Sequence, residues 1–237
     1  MERFRVDRDS TALVVVDMTN DFLEPGVPQE CAAGREIIPR LAELIDVCRR
    51  AGVEVLYTSH MHRADGSDMG RMAESFTHLV DSDRRPITLI EGTRGVEVVD
   101  ALAPAPGEIV IRKSRYSAFY NTDLETVLHT KGITTLIVGG VATNICCEST
   151  ARDAMFRDYR VIFLSDGNAA LDIPDLGWGP ISHAEVQRVV LSTLAAGFCE
   201  VASVSDVIAR VEGTGEDAAR VTSVGAHVTA AAAQAST

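Results

Sequence analysis

A chain of 237 residues can bury a sizeable core as one α/β domain, or as one domain and a tail. Its residues are 46% hydrophobic and 24% charged, and no apolar run comes near the length of a membrane span, which excludes membrane-spanning and disordered proteins. The formal net charge of −12 disfavours partners such as nucleic acid or an anionic membrane, because binding to either needs a basic surface. The remaining partner class is a small molecule.

The cysteines and the N-terminus indicate a reducing compartment. Five cysteines are an odd number, and none forms a CxxC pair, which argues against a disulfide framework and against a structural zinc site. The first ten residues contain no apolar segment of the kind that a secretory signal needs. We therefore expect reduced thiols and a cytoplasmic location.

Apolar strands alternate with amphipathic helices from the start of the chain. The strand Ala12–Val16 is entirely apolar, as in strands buried on both faces of a parallel sheet, and it ends at Asp17. A loop with Pro and Gly leads to the helix Arg35–Ala51, which Gly52 ends. The second predicted strand is Val53–Thr58.

The segment that follows the second strand is harder to interpret. Residues 59–95 show weak periodicity, and loops of that length usually carry function or contain short elements. We predict a short helix over Val96–Leu102. The third strand, Glu108–Arg112, ends at Lys113, and the helix Asp123–Lys131 follows.

The fourth strand leads to two cysteines. Thr134–Val138 is followed by a glycine pair and by a predicted helix over Cys146–Asp158. Cys147 lies on the apolar stripe of that helix, so we expect it in the core. Cys146 lies on another face, in the first turn, where unpaired N–H groups and the helix dipole favour thiolate over thiol. Inert burial, the usual fate of a free cysteine, is the alternative for Cys146.

The remaining elements complete an alternating pattern. They are the strand Arg160–Leu164, the helix Ser182–Ala196, the strand Val201–Val204 and the helix Ser205–Val211, capped by Ser205. This order predicts a doubly wound, mostly parallel six-stranded sheet with helices on both faces, formed by residues 1–212. Residues 213–237 are a low-complexity tail to which we assign no chemistry.

Three reactive side chains follow strand ends in this prediction. Asp17, Lys113 and Cys146 would lie at the carboxyl edge of one sheet, where ligands of such folds bind. Alone, the aspartate is usually a cap and the lysine a solvated charge. Together they supply a base, a cation and a nucleophile, the set that thiol catalysis needs. We expect Lys113 to favour the thiolate and Asp17 to accept the thiol proton and later activate water.

Other chemistries have weaker support. The sequence has no phosphate-binding glycine motif and neither HExxH nor GxSxG. His60 and His62 could bind a metal together with Asp65 or Asp68, but the pair has no clear third ligand. The alternative is that both histidines form pocket wall or surface, and we assign no metal.

Three blocks of sequence resemble a known family. ALVVVDMTNDF, KSRYSAFYNTDLETVL and GGVATNICCESTARDAMFRDYRV are similar to the signature blocks of the isochorismatase-like cysteine hydrolases. The last two look most like the ureidoacrylate amidohydrolase and biuret hydrolase branch. The resemblance implies a triad of Asp17, Lys113 and Cys146. It also implies a cis peptide at Val141–Ala142, with the N–H groups of Ala142 and Cys146 as an oxyanion hole.

The same resemblance implies an activity. It is cleavage of a C–N bond in a small amide, ureide or lactam through a Cys146 thioester, without a cofactor, in a homo-oligomer (a dimer or tetramer). The alternatives are a nicotinamidase-like or isochorismatase-like hydrolase and a catalytically silent binding protein of the same fold. Nicotinamidase-like members carry a metal-binding Asp-x-His pattern, from which the Ser-His-Met-His of residues 59–62 departs.

Positions around the substrate can also be carried over. Five residues match positions that line or shape the pocket in the ureide-hydrolysing branch: Phe22, His60, His62, Tyr116 and Asn121. The two histidines stand where those relatives have Asn and Trp, so we expect a different substrate. Tyr116 fits a core aromatic as well, and Arg115 fits either a substrate carboxylate or an internal acid.

Overall fold

A sheet of six parallel strands forms the centre of the protein. The computed structural model describes residues 3–213. The spatial order is β3-β2-β1-β4-β5-β6, and every neighbouring pair is parallel, which agrees with the mostly parallel sheet predicted from the sequence. The strands are β1 (Thr11–Val16), β2 (Glu54–His60), β3 (Ile109–Lys113), β4 (Thr135–Val141), β5 (Arg160–Ala169) and β6 (Glu200–Ala202).

Helices cover both faces of this sheet. The described residues form α1 (Asn20–Leu23), α2 (Gly34–Ala51), α3 (Met72–Ser75), α4 (Leu124–Thr130), α5 (Glu148–Met155), α6 (His183–Gly197) and α7 (Val204–Val211). Helices α2 and α7 share one apolar cluster with one face of the strands, and α4, α5 and α6 share the other cluster. The doubly wound architecture expected from the sequence is therefore confirmed. None of the described helices combines the length and apolar composition of a membrane span.

Strands β1 and β4 are neighbours in the sheet, and their ends come unusually close. A side chain on Gly140 would place its Cβ 2.0 Å from the carbonyl oxygen of Val16. The close approach therefore requires glycine. It sets the end of β4 directly beside Asp17. This is the point where the strand order reverses, which is where ligands of doubly wound folds bind.

The long segment after β2 is anchored to the start of the chain. The Asn20 side-chain amide donates to the carbonyl oxygens of Arg94 (2.8 Å) and Glu97 (3.2 Å). The Asp21 carboxylate accepts the Leu89 N–H at 2.6 Å. Short elements within this segment, α3 and a 3-10 turn at Thr77–Leu79, escaped the sequence analysis because each is only a turn long.

Several predicted elements differ from those in the structure, and strand β5, predicted to end at Leu164, continues to Ala169. Val96–Leu102 is not a helix but two 3-10 turns, because Val99 between them is extended and donates its N–H to Met18. Helix α7 is capped by Ser203 rather than Ser205, since the Ser203 hydroxyl accepts the Asp206 N–H. Strand β6 accordingly ends before the helix at Ala202. The predicted tail, apart from Gly213, lies outside the described residues.

Candidate active site

Asp17 is held in a fixed orientation directly after β1. Its backbone is left-handed (φ 50°), and its N–H faces the carbonyl and hydroxyl oxygens of Thr58, each 3.2 Å away. The Thr58 hydroxyl donates back to Asp17 Oδ1 at 2.7 Å. Both residues are fully buried. The adjacent strand β2 therefore fixes the carboxylate, and one of its oxygens remains for other partners.

Lys113 is the last residue of β3 and points into the same buried space. Its Nζ lies 2.7 Å from Asp17 Oδ2, an ion pair, and donates to Cys146 Sγ at 3.2 Å and to the Arg115 carbonyl at 3.1 Å. Burial by itself lowers the pKa of Lys113, but the nearby Asp17 carboxylate and Cys146 sulfur outweigh burial and raise it above its ordinary value. The lysine is therefore a permanent cation.

Cys146 lies in a wide turn between β4 and α5. The helix begins earlier than predicted, as a π-helical turn over Thr143–Cys147, because the Ala142 carbonyl accepts the N–H groups of Ile145 and Cys147. The peptide bond between Val141 and Ala142 is cis, as the family resemblance implied. Helix α5 then runs only to Met155 and stops short of the predicted Asp158.

The protonation state of Cys146 differs from the sequence-based expectation. Burial raises the pKa of its thiol to about 12; Lys113 opposes this shift and Asp17 adds to it. The thiolate expected for a first helical turn is therefore not the resting form, since the residue is only 4% exposed. Lys113 acts in the predicted direction but does not outweigh burial. Cys147 is fully buried in the core, as predicted, and all five cysteines are free.

His60 and His62 form a row of contacts that begins at Lys113. Lys113 Nζ is 3.4 Å from His60 Nδ1, the two Nε2 atoms are 3.1 Å apart, and His62 Nδ1 is 3.4 Å from Asp68 Oδ1. Burial lowers the pKa of both imidazoles, so both are neutral. The positive charge of the Lys113 ammonium disfavours a proton on the His60 Nδ1 that faces it, so the His60 proton lies on Nε2, which donates to His62. The remaining His62 proton is on Nδ1 and faces the Asp68 carboxylate 3.4 Å away, but within the described residues Nδ1 makes no hydrogen bond.

A metal is poorly accommodated among these groups. Within the described range, one set of three donors comes together, with atoms of Asp17, His60 and Cys146 all within 4.8 Å. The Lys113 ammonium contacts all three of these residues, so a divalent cation there would meet an existing positive charge. Asp65, one of the ligands considered for the histidine pair, is instead exposed and accepts the Ser67 N–H.

A cavity with an empty volume of about 620 Å³, open solvent included, lies against Cys146. Cys146 and Ala142 line it, as do four of the five predicted pocket residues: Phe22, His60, His62 and Tyr116. Asn121 does not, because it occupies an exposed left-handed turn (φ 55°). Arg115 does not face the cavity either; its guanidinium donates to the carbonyl oxygens of Asp68 and Ser114.

Three polar residues of the site were not found from the sequence. Thr58 orients Asp17, and the parallel register could have identified it because it pairs with Val16, the neighbour of Asp17. Thr88 lines the cavity and comes from the segment without clear periodicity. Thr143 ties the π-helical turn to α6 through Gln187 at 2.6 Å. No local pattern distinguishes the last two.

Comparisons with known proteins point to one family. A family model described as the isochorismatase domain matches residues 11–206. A ureidoacrylate amidohydrolase, RutB, of Methylorubrum extorquens is 36% identical over 89% of each chain. A probable inactive nicotinamidase of Arabidopsis thaliana is 35% identical over 71% of this chain and 83% of its own. The crystal structure of a cysteine hydrolase from Pseudomonas syringae superposes with a TM-score of 0.84 at 42% identity, covering 90% of this chain and 97% of that one.

Proposed function

This chain belongs to the isochorismatase family, and from that membership and the cluster of Asp17, Lys113 and Cys146 we propose that it is a cysteine-dependent amidohydrolase. Its reaction is hydrolysis of a C–N bond in a small amide, ureide or lactam. The observation that carries the proposal is one contact set. Lys113 Nζ lies 2.7 Å from Asp17 Oδ2 and 3.2 Å from Cys146 Sγ, beside a cavity that Cys146 lines.

The first half of the reaction forms a thioester. Cys146 transfers its proton to the Asp17 carboxylate, an oxygen of which lies within 4.8 Å of the sulfur, while the sulfur attacks the substrate carbonyl carbon. The carbonyl electron pair moves to oxygen, which accepts hydrogen bonds from the N–H groups of Ala142 and Cys146. The C–N bond then breaks, and the leaving nitrogen takes the proton from Asp17.

The second half releases the acid. Water gives a proton to Asp17 and attacks the thioester carbonyl, the C–S bond breaks, and the Cys146 sulfur recovers that proton. The sum is amide plus water to carboxylic acid plus amine; with a lactam, acid and amine remain in one molecule. Lys113 stays charged throughout. Its role is to stabilise the thiolate that exists only while the proton is on Asp17.

The high pKa of the Cys146 thiol supports this division of roles. A thiol with a pKa of about 12 is not a nucleophile at neutral pH by itself, so the base must take its proton during the attack. The Asp17 carboxylate, with an oxygen within 4.8 Å of the sulfur, supplies that base, and the Lys113 ammonium 3.2 Å from the sulfur lowers the electrostatic cost of forming the thiolate.

One alternative has specific support. A similar plant protein is described as a probable inactive nicotinamidase, so this chain could be a silent binding protein of the same fold. The complete set of base, cation and thiol opposes that alternative, because a binding protein has no need of a buried ion pair beside a thiol.

The deciding experiment measures ammonia or acid release from biuret, ureidoacrylate, carbamoyl amino acids, nicotinamide and simple lactams. Wild type, Cys146→Ala and the neighbouring Cys147→Ala are compared with and without a chelator. We expect release by wild type and Cys147→Ala that survives the chelator and disappears in Cys146→Ala. Activity that survives loss of the Cys146 thiol, or that requires a metal, would contradict the proposal.

The family resemblance suggests an assembly, and the unpaired cysteines suggest a reducing compartment. We propose a homo-oligomer, a dimer or tetramer, in the cytoplasm. Exposed large apolar side chains support self-association, the most exposed being Trp178 (94%), Leu176 (74%) and Phe156 (67%). Light scattering of the purified chain would reveal a monomer if the assembly proposal is wrong.

A further inference from the structure

The cavity beside Cys146 has an apolar wall contributed mainly by residues 69–89. Met69, Leu79 and Leu89 are buried there, with exposed fractions of 3%, 6% and 5%. Met72 and Phe76 are partly exposed at the same cavity. We call these five side chains the apolar wall. They present hydrocarbon, sulfur and aromatic surface next to the proposed nucleophile.

Charged side chains are missing from the lining within the part of the chain that the structure describes. Two guanidinium groups that flank Lys113 in sequence have partners elsewhere. Arg115 donates to the carbonyl oxygens of Asp68 and Ser114, and Arg112 donates to the Asp68 carboxylate at 2.9 Å. The Lys113 ammonium is paired with Asp17. An anionic substrate group would therefore find no free cation in this cavity.

The polar groups that do face the cavity are neutral. His60 and His62 are uncharged because burial lowers their pKa values. The Thr88 hydroxyl is buried, and among the described residues it has no hydrogen-bond partner. A buried hydroxyl without a partner is normally satisfied by water or a ligand. Thr88 can therefore hold the neutral N–H or carbonyl of an amide.

We infer that the substrate is an uncharged amide with an apolar acyl group, such as an alkyl or aryl carboxamide, and not an amide that carries a carboxylate. This inference rests on the proposed amidohydrolase function and narrows it. Transfer of apolar surface from water into the cavity is favourable. A carboxylate that enters the cavity loses its hydration and gains no counterion. The substrate class would then differ from that in the name of the ureidoacrylate amidohydrolase relative.

The test is a matched pair of amides that differ by one carboxylate. Hexanamide and the monoamide of adipic acid have similar length, and ammonia release reports kcat/KM for both. We expect hexanamide to be favoured by at least about 100-fold, given the cost of an unpaired buried carboxylate. Along the series from acetamide to hexanamide, each added CH₂ is expected to raise kcat/KM about fourfold until the cavity is filled.

A charge introduced into the apolar wall should change this preference. Met72 is only half-buried, so Met72→Arg can be accommodated, and Met72→Leu is the control that keeps the wall apolar. We expect Met72→Arg to shift the ratio at least about tenfold towards the adipic monoamide, because a cation now faces its carboxylate. Met72→Leu should leave the ratio within about twofold, as conservative apolar exchanges usually do.

Binding to Cys146→Ala separates this inference from the proposed function. Calorimetry with the inactive variant should show tighter binding of hexanamide than of the adipic monoamide, whether or not wild type turns either over. If wild type hydrolyses the charged amide faster in a Cys146-dependent way, the substrate inference fails and the amidohydrolase proposal stands. If the variant prefers hexanamide but wild type releases no ammonia, the substrate inference stands and the amidohydrolase proposal fails. If the variant binds neither amide, the substrate inference is overturned.

Discussion

The polar cluster and the apolar wall of the cavity are built in opposite ways. The polar cluster (Asp17, His60, Lys113 and Cys146) lies at the carboxyl ends of parallel strands and is held by ion pairs and hydrogen bonds between strands. The apolar wall comes from short turns between β2 and β3, anchored by a few hydrogen bonds to Asn20 and Asp21. The sheet therefore positions the chemistry, while a connecting segment determines which acyl group reaches it. Changes in the cluster should affect every substrate equally, and changes in the wall should affect one substrate relative to another.

The largest expected effect is that of Asp17→Asn. Loss of the base should lower kcat by about 10²–10⁴-fold for every amide tested. The exposed carboxylate of Asp65 offers a matched control, Asp65→Asn, which should leave kcat within about twofold. If the loss of kcat differs between substrates, Asp17 contributes to specificity. The polar cluster and the apolar wall would then not have separate roles.

The same variant should have the opposite effect on thiol alkylation. Asp17 contributes to the raised pKa of Cys146, so its neutralisation should lower that pKa and accelerate reaction with iodoacetamide at pH 8. In wild type, a thiol pKa of about 12 predicts a rate that rises about tenfold per pH unit from pH 7 to 10 without levelling off. Mass spectrometry of the modified cysteine measures both. A plateau near pH 9 in wild type would show that Cys146 is not shifted.

Removal of the cation should cost stability as well as activity. Lys113→Met leaves the Asp17 carboxylate buried without its partner, and we expect a loss of about 3–5 kcal/mol in the free energy of unfolding. The double variant Asp17→Asn, Lys113→Met should recover part of that loss, and urea denaturation of all four proteins gives the coupling energy. Additive losses would contradict the view that the pair acts as one unit.

A smaller effect is expected for His62→Gln, which interrupts the row from Lys113 to Asp68. His62 is a positioning residue in this view, because it acts on Lys113 through His60. We expect a three- to tenfold lower kcat, in line with the loss of one net hydrogen bond, and altered ¹⁵N shifts of the His60 ring. The exposed His78→Asn is the control. An unchanged His60 tautomer in the variant would argue against the view that His62 acts on Lys113 through His60.

The smallest effect should come from Thr88→Val, which removes a hydroxyl while keeping the shape. If Thr88 binds the amide, KM should rise about fivefold with little change in kcat, as expected for one neutral hydrogen bond. Thr88→Ser restores the hydroxyl and should restore most of the affinity. Equal KM values for both variants would place the hydroxyl outside substrate recognition.

The sequence predicted the polar cluster better than the wall, for a physical reason. Asp17, Lys113 and the turn that holds Cys146 follow strands whose apolar character marks them as buried, and parallel strands bring their carboxyl ends together. The apolar wall consists of side chains in turns too short to show a period, so Met69 and Leu79 carry no signal of their location.

Protonation states were the other part that could not be predicted. A first helical turn favours thiolate, yet burial in the packed structure reverses the preference at Cys146. Enclosure is a property of the packed structure and does not follow from spacing along the chain. The same limit explains the wrong prediction for Asn121. It is close to Tyr116 in sequence, but it does not line the cavity.

The row of contacts from Lys113 through His60 and His62 to Asp68 has a direction. The N–H groups of His60 and His62 both point towards Asp68, so a proton could travel inwards from Asp68 only if both rings exchanged their protonated nitrogens. The row therefore insulates the cluster instead of supplying it with protons from the surface. In the proposed reaction, the proton that leaves Cys146 then has one destination, Asp17, and one exit, the departing nitrogen. The protein would carry a single catalytic proton from the first bond formed to the first bond broken.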